Sequence, residues 1–307
     1  MKKLNYQLKE LAKYNRDGSF ATQSNRQRIL QMTANQLHEM GYRNLSARGI
    51  KERHVKALVT RWQTENLNTG TIKNRMAALR WWTGKIGKAS IIPRNNNLRS
   101  NSSDVRDLNI AKRVHSNNSI NRAKDLDAQK LALVTDERIK VVLALQRALG
   151  FRKEEALKFR PSEVIKQTSS GRVYLQFKAG TKGGKERIVP LSQNTEMLTE
   201  QNRVLALAAN LAGRGSMIPS DKSYKQGNNI YKHQCQKAGL DNNHGLRHAY
   251  AQDRYFQLTG WLSPKAGGPI SKELSPEAKG IDQRARFIIS KELGHEREQI
   301  TVTYLGR

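Results

Sequence analysis

The sequence predicts a mainly α-helical protein with a small antiparallel β-sheet, an α+β fold in two domains. Apolar residues recur at helical spacing through most of the chain. Two short stretches in the second half alternate between apolar and polar residues, as strands do. A stretch rich in Asn, Ser and Arg separates the two patterned regions. We therefore predict a helical domain at 1–90, a linker at 91–125 and a second domain at 126–307.

Four helices account for the first domain, at 5–14, 22–40, 51–64 and 69–85. The fourth carries Ile72, Met76, Leu79 and Trp82 on one stripe, and we interpret such stripes as core. The opposite helix faces are basic and carry Arg26, Arg28, Lys56, Arg61, Lys73, Arg75 and Arg80. A small bundle with a basic face is typical of a module that grasps DNA, although ordinary solvation of these charges explains them equally well.

The linker contains the run NNNLRSNSS and shows little apolar periodicity, with one short helix expected at 108–114. In the second domain we expect two strands, 173–177 and 187–191, joined across the pair Gly183 and Gly184. The remaining elements there are predicted helices at 136–149, 152–159, 195–212, 228–238, 244–258 and 282–293.

The charge of the chain points to a polyanionic partner. Lys and Arg number 55 against 26 Asp and Glu, a net charge of +29. Residues 1–125 carry a net +17 and residues 126–307 a net +12, so no short tail supplies the imbalance. A basic surface along the whole chain suits a protein that follows a phosphate backbone.

Membrane and secreted classes are disfavoured. The sequence has no run of about 18 apolar residues and no signal-peptide pattern. Cys235 is its one cysteine, which excludes a disulfide framework. We therefore expect a cytoplasmic, nucleoid-associated protein. The seven histidines lack paired metal-ligand spacing, and we expect neither a metal nor another cofactor.

Two short motifs place cations at helix starts. In HGLRHAY, His244 and Arg247 are three residues apart and share a helix face, with Asn242 or Asn243 as the expected N-cap. A surface pair is the plain alternative, and we expect the neighbouring His248 to be structural or solvated. In FRKEEAL, Arg152 follows a glycine stop and precedes Glu155 by three residues. Those two residues form either an exposed pair or a phosphate-facing guanidinium whose turn Glu155 holds in place.

The stretch AGTKGGKERIVPL resembles a phosphate loop at first sight. Its Gly180 and Gly184 enclose three residues instead of four, and Glu186 stands where Ser or Thr is required. We interpret it as a tight hairpin with Lys182 at its tip, where a lysine can contact a polyanion or donate a proton. Lys178 and Lys185 are the rival candidates for that role.

The end of the chain raises a geometric question. A continuous helix would hold His295 and Tyr304 about 14 Å apart on opposite faces. The β-branched run 300–303 weakens helix locally, and a bend that returns Tyr304 toward His295 is the functional interpretation. A frayed basic tail is the alternative.

Taken in order, these motifs closely resemble the tyrosine recombinase (phage integrase) family. In residues 126–307 the resemblance rests on these motifs. The first domain resembles the family's core-binding domain by architecture only. It implies a site-specific recombinase that cleaves and rejoins DNA through a 3′-phosphotyrosyl intermediate, for integration or excision of a mobile element. The implied catalytic residues are Arg152, Lys182, His244, Arg247, His295 and Tyr304. A type IB topoisomerase-like relaxer and a catalytically silent DNA-binding protein are the alternatives.

By the same resemblance, double-stranded DNA is the expected substrate and a homotetramer on paired sites the expected assembly, with accessory bending or directionality factors. Two departures are evident. Residues 259–283, here called the insertion, are longer than the family usually has and are expected to form a loop. The sequence also stops at Arg307, without the segment that many relatives dock on a neighbouring protomer. We expect another exchange surface, and the insertion is a candidate.

Overall fold

The computed structural model describes residues 2–92, 120–177, 186–295 and 297–307. The chain divides into two units, Met1–Ser116 and Asn117–Arg307. The predicted boundaries at 90 and 125 stay predictions. The expected short helix at 108–114 and the glycine pair of the hairpin lie outside the described residues.

The first unit contains the four predicted helices, each within two residues of its expected bounds. They are α1 (Lys3–Tyr14), α2 (Phe20–Glu39), α3 (Glu52–Thr64) and α4 (Thr69–Lys85), with 3₁₀ turns at Ala47–Gly49 and Ala89–Ile91. The Ser19 hydroxyl and the Asn68 amide cap α2 and α4 by accepting from backbone N–H groups in the first turn. Trp62 and Trp82 are fully buried between the helices, which confirms the predicted core stripes.

The second unit is helical around one small sheet. Its helices are α5 (Ala128–Ala132), α6 (Glu137–Leu149), α7 (Lys153–Leu157), α8 (Pro161–Val164), α9 (Thr195–Ala212), α10 (Tyr224–Lys237), α11 (His244–Thr259), α12 (Pro276–Glu292) and α13 (Val302–Leu305). The strands are β1 (Ile165–Gln167), β2 (Val173–Phe177) and β3 (Arg187–Pro190). The fold class predicted from the sequence is confirmed.

The sheet is antiparallel in the order β1-β2-β3. Leu175 on the central strand pairs with Ile165 on one side and with Val189 on the other. Leu175 and Val189 point into a core shared with α6 and α9. Strand β1 was not predicted, because three residues are too few for an alternating pattern to register.

The insertion is only partly a loop, so the prediction of a loop throughout 259–283 is wrong. Helix α12 begins at Pro276, with the Ser275 hydroxyl accepting from the N–H of Ala278. Ser at the N-cap and Pro at the first helical position are a strong start signal, which extends the helix six residues before the predicted 282. Helix α10 likewise begins early, at Tyr224, because Ser223 and Gln226 form a capping box.

Candidate active site

Arg152 is placed by a sharp change of chain direction. Helix α6 ends at Gly150, whose φ of +63° is left-handed and whose Cα faces the Tyr250 ring too closely for a side chain. Arg152 is then the N-cap of α7, and its N–H donates to the Glu155 carboxylate at 2.9 Å. The predicted role of Glu155 in holding this turn is confirmed, and the guanidinium of Arg152 remains partly exposed.

Glu155 is more than a local brace, because it lies buried among three guanidinium groups. Its carboxylate accepts from Arg152 Nη1 at 2.6 Å, and nitrogens of Arg187 and Arg247 lie 3.5 and 3.8 Å from it. Burial alone would raise the pKa of Glu155, but the three cations hold that pKa below its ordinary value. One carboxylate faces three cations, so this pocket keeps an excess of positive charge and favours an anion.

Arg247 is the most deeply buried of the three, at 1% exposure. It lies in the first turn of α11, and its guanidinium donates to the backbone carbonyl oxygens of Gly150 and Leu293, the latter at 2.5 Å. Its Nε donates to the Tyr304 hydroxyl at 3.2 Å. Contacts with three separate segments fix the plane of this guanidinium.

Tyr304 reaches this cluster because the chain bends after α12. A 3₁₀ turn at Glu298–Thr301 leads into the single turn of α13, and together they return the tyrosine toward His295. The Tyr304 hydroxyl lies 3.3 Å from His295 Nε2, and the side chain is 4% exposed. The predicted bend is therefore present, and the alternative of a frayed tail is wrong.

Two further histidines flank the tyrosine ring. His244, in the first turn of α11, is exposed at the edge of the site, with its ring centroid 6.3 Å from that of Tyr304. Desolvation by the surrounding atoms, together with the cations of Arg247 and Arg152, lowers the pKa of His244. Asn243 is its N-cap residue as predicted, but the side chain makes no capping hydrogen bond.

His248 is 2% exposed, and its ring centroid lies 4.7 Å from that of Tyr304. Burial, with the nearby His244, Lys265, Arg122 and Arg247, lowers the pKa of His248 to about 4. Burial and Arg247 likewise lower the pKa of His295 to about 4. Both imidazoles are therefore neutral at pH 7, and His248 packs against the ring of Tyr304.

The structure brings together five of the six predicted site residues, namely Arg152, His244, Arg247, His295 and Tyr304. Lys182 and its rivals Lys178 and Lys185 lie outside the described residues.

Arg187 is a site residue that the sequence reasoning missed. It begins β3, is 6% exposed, and stacks over the Phe177 ring at 4.6 Å while it pairs with Glu155. A signal was available, because Arg187 shares its strand face with the buried Val189. An arginine on the core-facing side of a strand requires a buried partner.

Comparison with known families agrees with this geometry. A family model described as "Phage integrase, N-terminal" matches residues 1–92, and one described as "Integrase" matches residues 111–253. The two matches together span about three-quarters of the sequence. The chain belongs to the phage integrase family. The family resemblance drawn from the motifs is confirmed, and this phage integrase is a tyrosine site-specific recombinase. His295 and Tyr304 lie beyond the matched residues.

Solved structures of similar fold include two of XerH site-specific recombinase bound to difH substrate. The post-cleavage complex has a TM-score of 0.55 and 18% identity, covering 98% of this chain and 80% of XerH. The pre-cleavage complex has a TM-score of 0.52 and 17% identity over the same shares.

The Tn1549 transposon integrase in complex with transposon right end DNA has a TM-score of 0.53 and 11% identity. It covers 99% of this integrase and 94% of the other chain. The curated proteins give no match to the sequence. None of the described helices combines the length and hydrophobicity needed to cross a bilayer.

Proposed function

We propose that this recombinase cleaves double-stranded DNA with Tyr304 as the nucleophile and rejoins it without metal or ATP. The observation that carries the proposal is the position of the Tyr304 hydroxyl, within hydrogen-bond distance of both Arg247 and His295 beside a pocket of excess positive charge. A phenol oxygen and a scissile phosphate would meet at that point.

In the proposed step, the Tyr304 oxygen attacks the phosphorus and the bond from phosphorus to the 5′-oxygen breaks. A 3′-phosphotyrosyl link forms and a 5′-hydroxyl leaves. The link conserves the bond energy, so the reverse attack by a 5′-hydroxyl rejoins the strand. Negative charge develops on the non-bridging oxygens of a pentacoordinate phosphorane, and fixed donors there lower the barrier.

Arg152 and Arg247 are the proposed phosphate ligands. Arg152 is partly exposed with one edge held by Glu155, so its other donors are available to a ligand. Arg247 already donates to Tyr304, which puts its guanidinium next to the attacked phosphate. Each guanidinium can fork onto two oxygens, a geometry that lysine does not provide.

Proton transfer requires a base at the tyrosine and an acid at the leaving oxygen. His244 is the proposed base, because its lowered pKa keeps the imidazole neutral at pH 7. His295, 3.3 Å from the tyrosine hydroxyl, is proposed either to brace that hydroxyl or to hydrogen-bond the phosphate. Lys182 is the proposed acid. A DNA substrate with a 5′-thio leaving group tests this assignment, because that leaving group needs no proton. Such a substrate should restore cleavage by Lys182→Ala. If it restored cleavage by Lys178→Ala or Lys185→Ala instead, that lysine would be the general acid.

The proposed biological setting follows from charge and family. A net charge of +29 supports binding to chromosomal DNA in the cytoplasm, in association with the nucleoid. We propose a homotetramer on two paired sites, with accessory DNA-bending or directionality factors. The transposon integrase among the similar folds supports integration or excision of a mobile element.

A covalent trapping assay tests the proposed function. The protein is incubated in chelator with nicked duplexes drawn from the flanks of its own gene, because cleavage near the nick releases a short strand and traps the intermediate. The wild type should form an adduct that resists denaturation, and Tyr304→Phe should form none. An adduct with Tyr304→Phe, or no wild-type adduct on any flank, would contradict the proposal.

A further inference from the structure

The tyrosine is carried by a helix too short to be stable by itself. Helix α13 spans four residues, Val302–Leu305, a single turn. Fixing one turn costs more conformational entropy than its hydrogen bonds return. The last carbonyl groups of any helix also lack partners within the helix. Groups from elsewhere must therefore hold α13 in place.

Three side chains from three elements bind carbonyl oxygens of this turn and of Gly306, which follows it. Lys265 Nζ donates to the Thr303 carbonyl at 2.6 Å, Gln252 Nε2 to the Tyr304 carbonyl at 3.1 Å, and Arg286 Nη1 to the Gly306 carbonyl at 2.7 Å. Two of the donors are cations, which the negative end of a helix favours. The three donors bind carbonyl groups that the next turn of a longer helix would bind.

Lys265 belongs to the insertion, which the sequence predicts only as a candidate exchange surface. It lies in a 3₁₀ turn at Pro264–Ala266, which is closed by N–H groups of Ala266 and Gly268 donating to the Ser263 carbonyl. The same turn packs against Gly306, where an added Cβ would lie 3.1 Å from atoms of Pro264 and Lys265. The insertion thus touches the chain on both sides of Tyr304.

The base of the insertion is fixed to the body of the second unit. Trp261 Nε1 donates to the Tyr255 hydroxyl at 3.2 Å, and that hydroxyl donates to Asp282 at 2.5 Å. Asp282 also pairs with Arg286 at 2.7 Å, the residue that binds the Gly306 carbonyl. Trp261 and Asp282, near the two ends of the insertion, therefore bind the same buried hydroxyl of Tyr255. These contacts hold the base of the insertion, and with it the turn that carries Lys265, against α11 and α12.

We propose that the insertion is a strap that seats the nucleophile, with Lys265 as a positioning residue for Tyr304. The proposal rests on the proposed function of Tyr304. Lys265 acts through the backbone carbonyl next to the nucleophile and has no contact with the reacting atoms. Without its donor, the turn should sample orientations in which the hydroxyl is displaced, and a displacement of about 1 Å can slow a reaction by about 100-fold.

The test is Lys265→Met, which keeps the aliphatic stem and removes the donor. We expect the rate of covalent adduct formation at saturating DNA to fall by about 10- to 100-fold, with the DNA Kd and the melting temperature unchanged. Hydrogen exchange at the amides of 303–306 should accelerate. Lys265→Arg, which restores a cationic donor, should recover most of the rate. Lys272→Met is the matched control, because Lys272 is an exposed lysine of the same insertion.

The possible outcomes separate the strap from its alternatives. If Lys265→Met reacts at the wild-type rate and the wild type is active, the proposed positioning role of Lys265 is wrong and the proposed function is unaffected. A weaker Kd with a reduced salt slope and an unchanged rate at saturation would identify Lys265 as a phosphate contact instead. An inactive wild type would contradict the proposed function itself.

Discussion

The two units of this integrase use charge in opposite ways. Among the described residues of the first unit, no Lys, Arg, Asp or Glu is buried, and its buried polar groups are amides, hydroxyls and one imidazole. In the part of the second unit that the structure describes, six charged side chains are buried: Glu155, Arg187, Arg247, Asp282, Arg286 and Glu292. A buried charge must be paired and hydrogen-bonded, which fixes its position. Surface charge in the first unit suits binding, and buried charge in the second suits chemistry.

The largest expected effect comes from neutralising the buried carboxylate at the centre of the cations. Glu155→Gln should destabilise the second unit by about 3–5 kcal/mol, because Arg187 and Arg247 lose their counter-charge. Urea denaturation followed by circular dichroism measures this loss. Glu200→Gln is the control, since Glu200 forms an exposed pair with Arg203 and its replacement should cost under about 1 kcal/mol. Equal costs for the two variants would remove the distinction between buried and surface charge.

Removal of the partly exposed guanidinium should affect the reaction and spare the fold. Arg152→Ala is expected to slow adduct formation by about 10²- to 10³-fold, as loss of one oxyanion-type donor does, or about 2.7–4 kcal/mol. Single-turnover trapping at saturating DNA measures it, with Kd by titration as the companion value. A normal rate with weaker binding would assign Arg152 to the same class as the surface cations of the first unit.

His248, a buried histidine of the second unit, makes the stability of that unit depend on pH. The pKa of His248 is about 4 in the folded protein and about 6.5 when unfolded, so below pH 6.5 the unfolded chain binds a proton that the folded chain does not. Stability should therefore fall as pH falls from 6.5 to 4, by up to about 3 kcal/mol from this residue.

His248→Gln should flatten that part of the stability profile, measured by urea denaturation at pH 6.5, 5 and 4. His233→Gln is the matched control, because His233 is exposed on α10. An unchanged pH slope in His248→Gln would mean that His248 titrates normally.

The smallest effect is expected from single surface cations of the first unit. Arg48 and Arg53 are exposed at either side of the start of α3. If each contacts a phosphate, the double change to Gln should reduce the slope of log K against log salt by about 2 and leave the saturated cleavage rate unchanged. Arg61→Gln should change the slope less, because Glu39 and Glu65 already bind that guanidinium. An altered cleavage rate in the double variant would contradict the division of roles.

Sequence patterns sufficed where the signal is local. The stripe ending in Trp82, the glycine stop before Arg152 and the return of Tyr304 toward His295 all depend on a few neighbouring residues, and the structure contains each of them. The order of the motifs indicated the family because their spacing is specific even where each motif is weak.

Contacts between distant segments could not be predicted in this way. Arg187 meets Glu155 across 32 residues, and Lys265 meets Thr303 across 38. Such pairs are determined by how the helices and strands pack together. The periodicity of a single sequence does not reveal that packing. The early start of α12 is different, because Ser275 and Pro276 are a local helix-start signal, but they lie in a segment whose length predicts a loop.

The most direct test of the contrast between the units is to measure both the cleavage rate and the DNA Kd for Arg247→Lys. This change keeps the charge and removes the planar fork. We predict a fall of at least about 100-fold in the single-turnover rate with Kd within about threefold of wild type. A rate near that of wild type with a weakened Kd would show that the buried guanidinium serves binding, which would contradict the account.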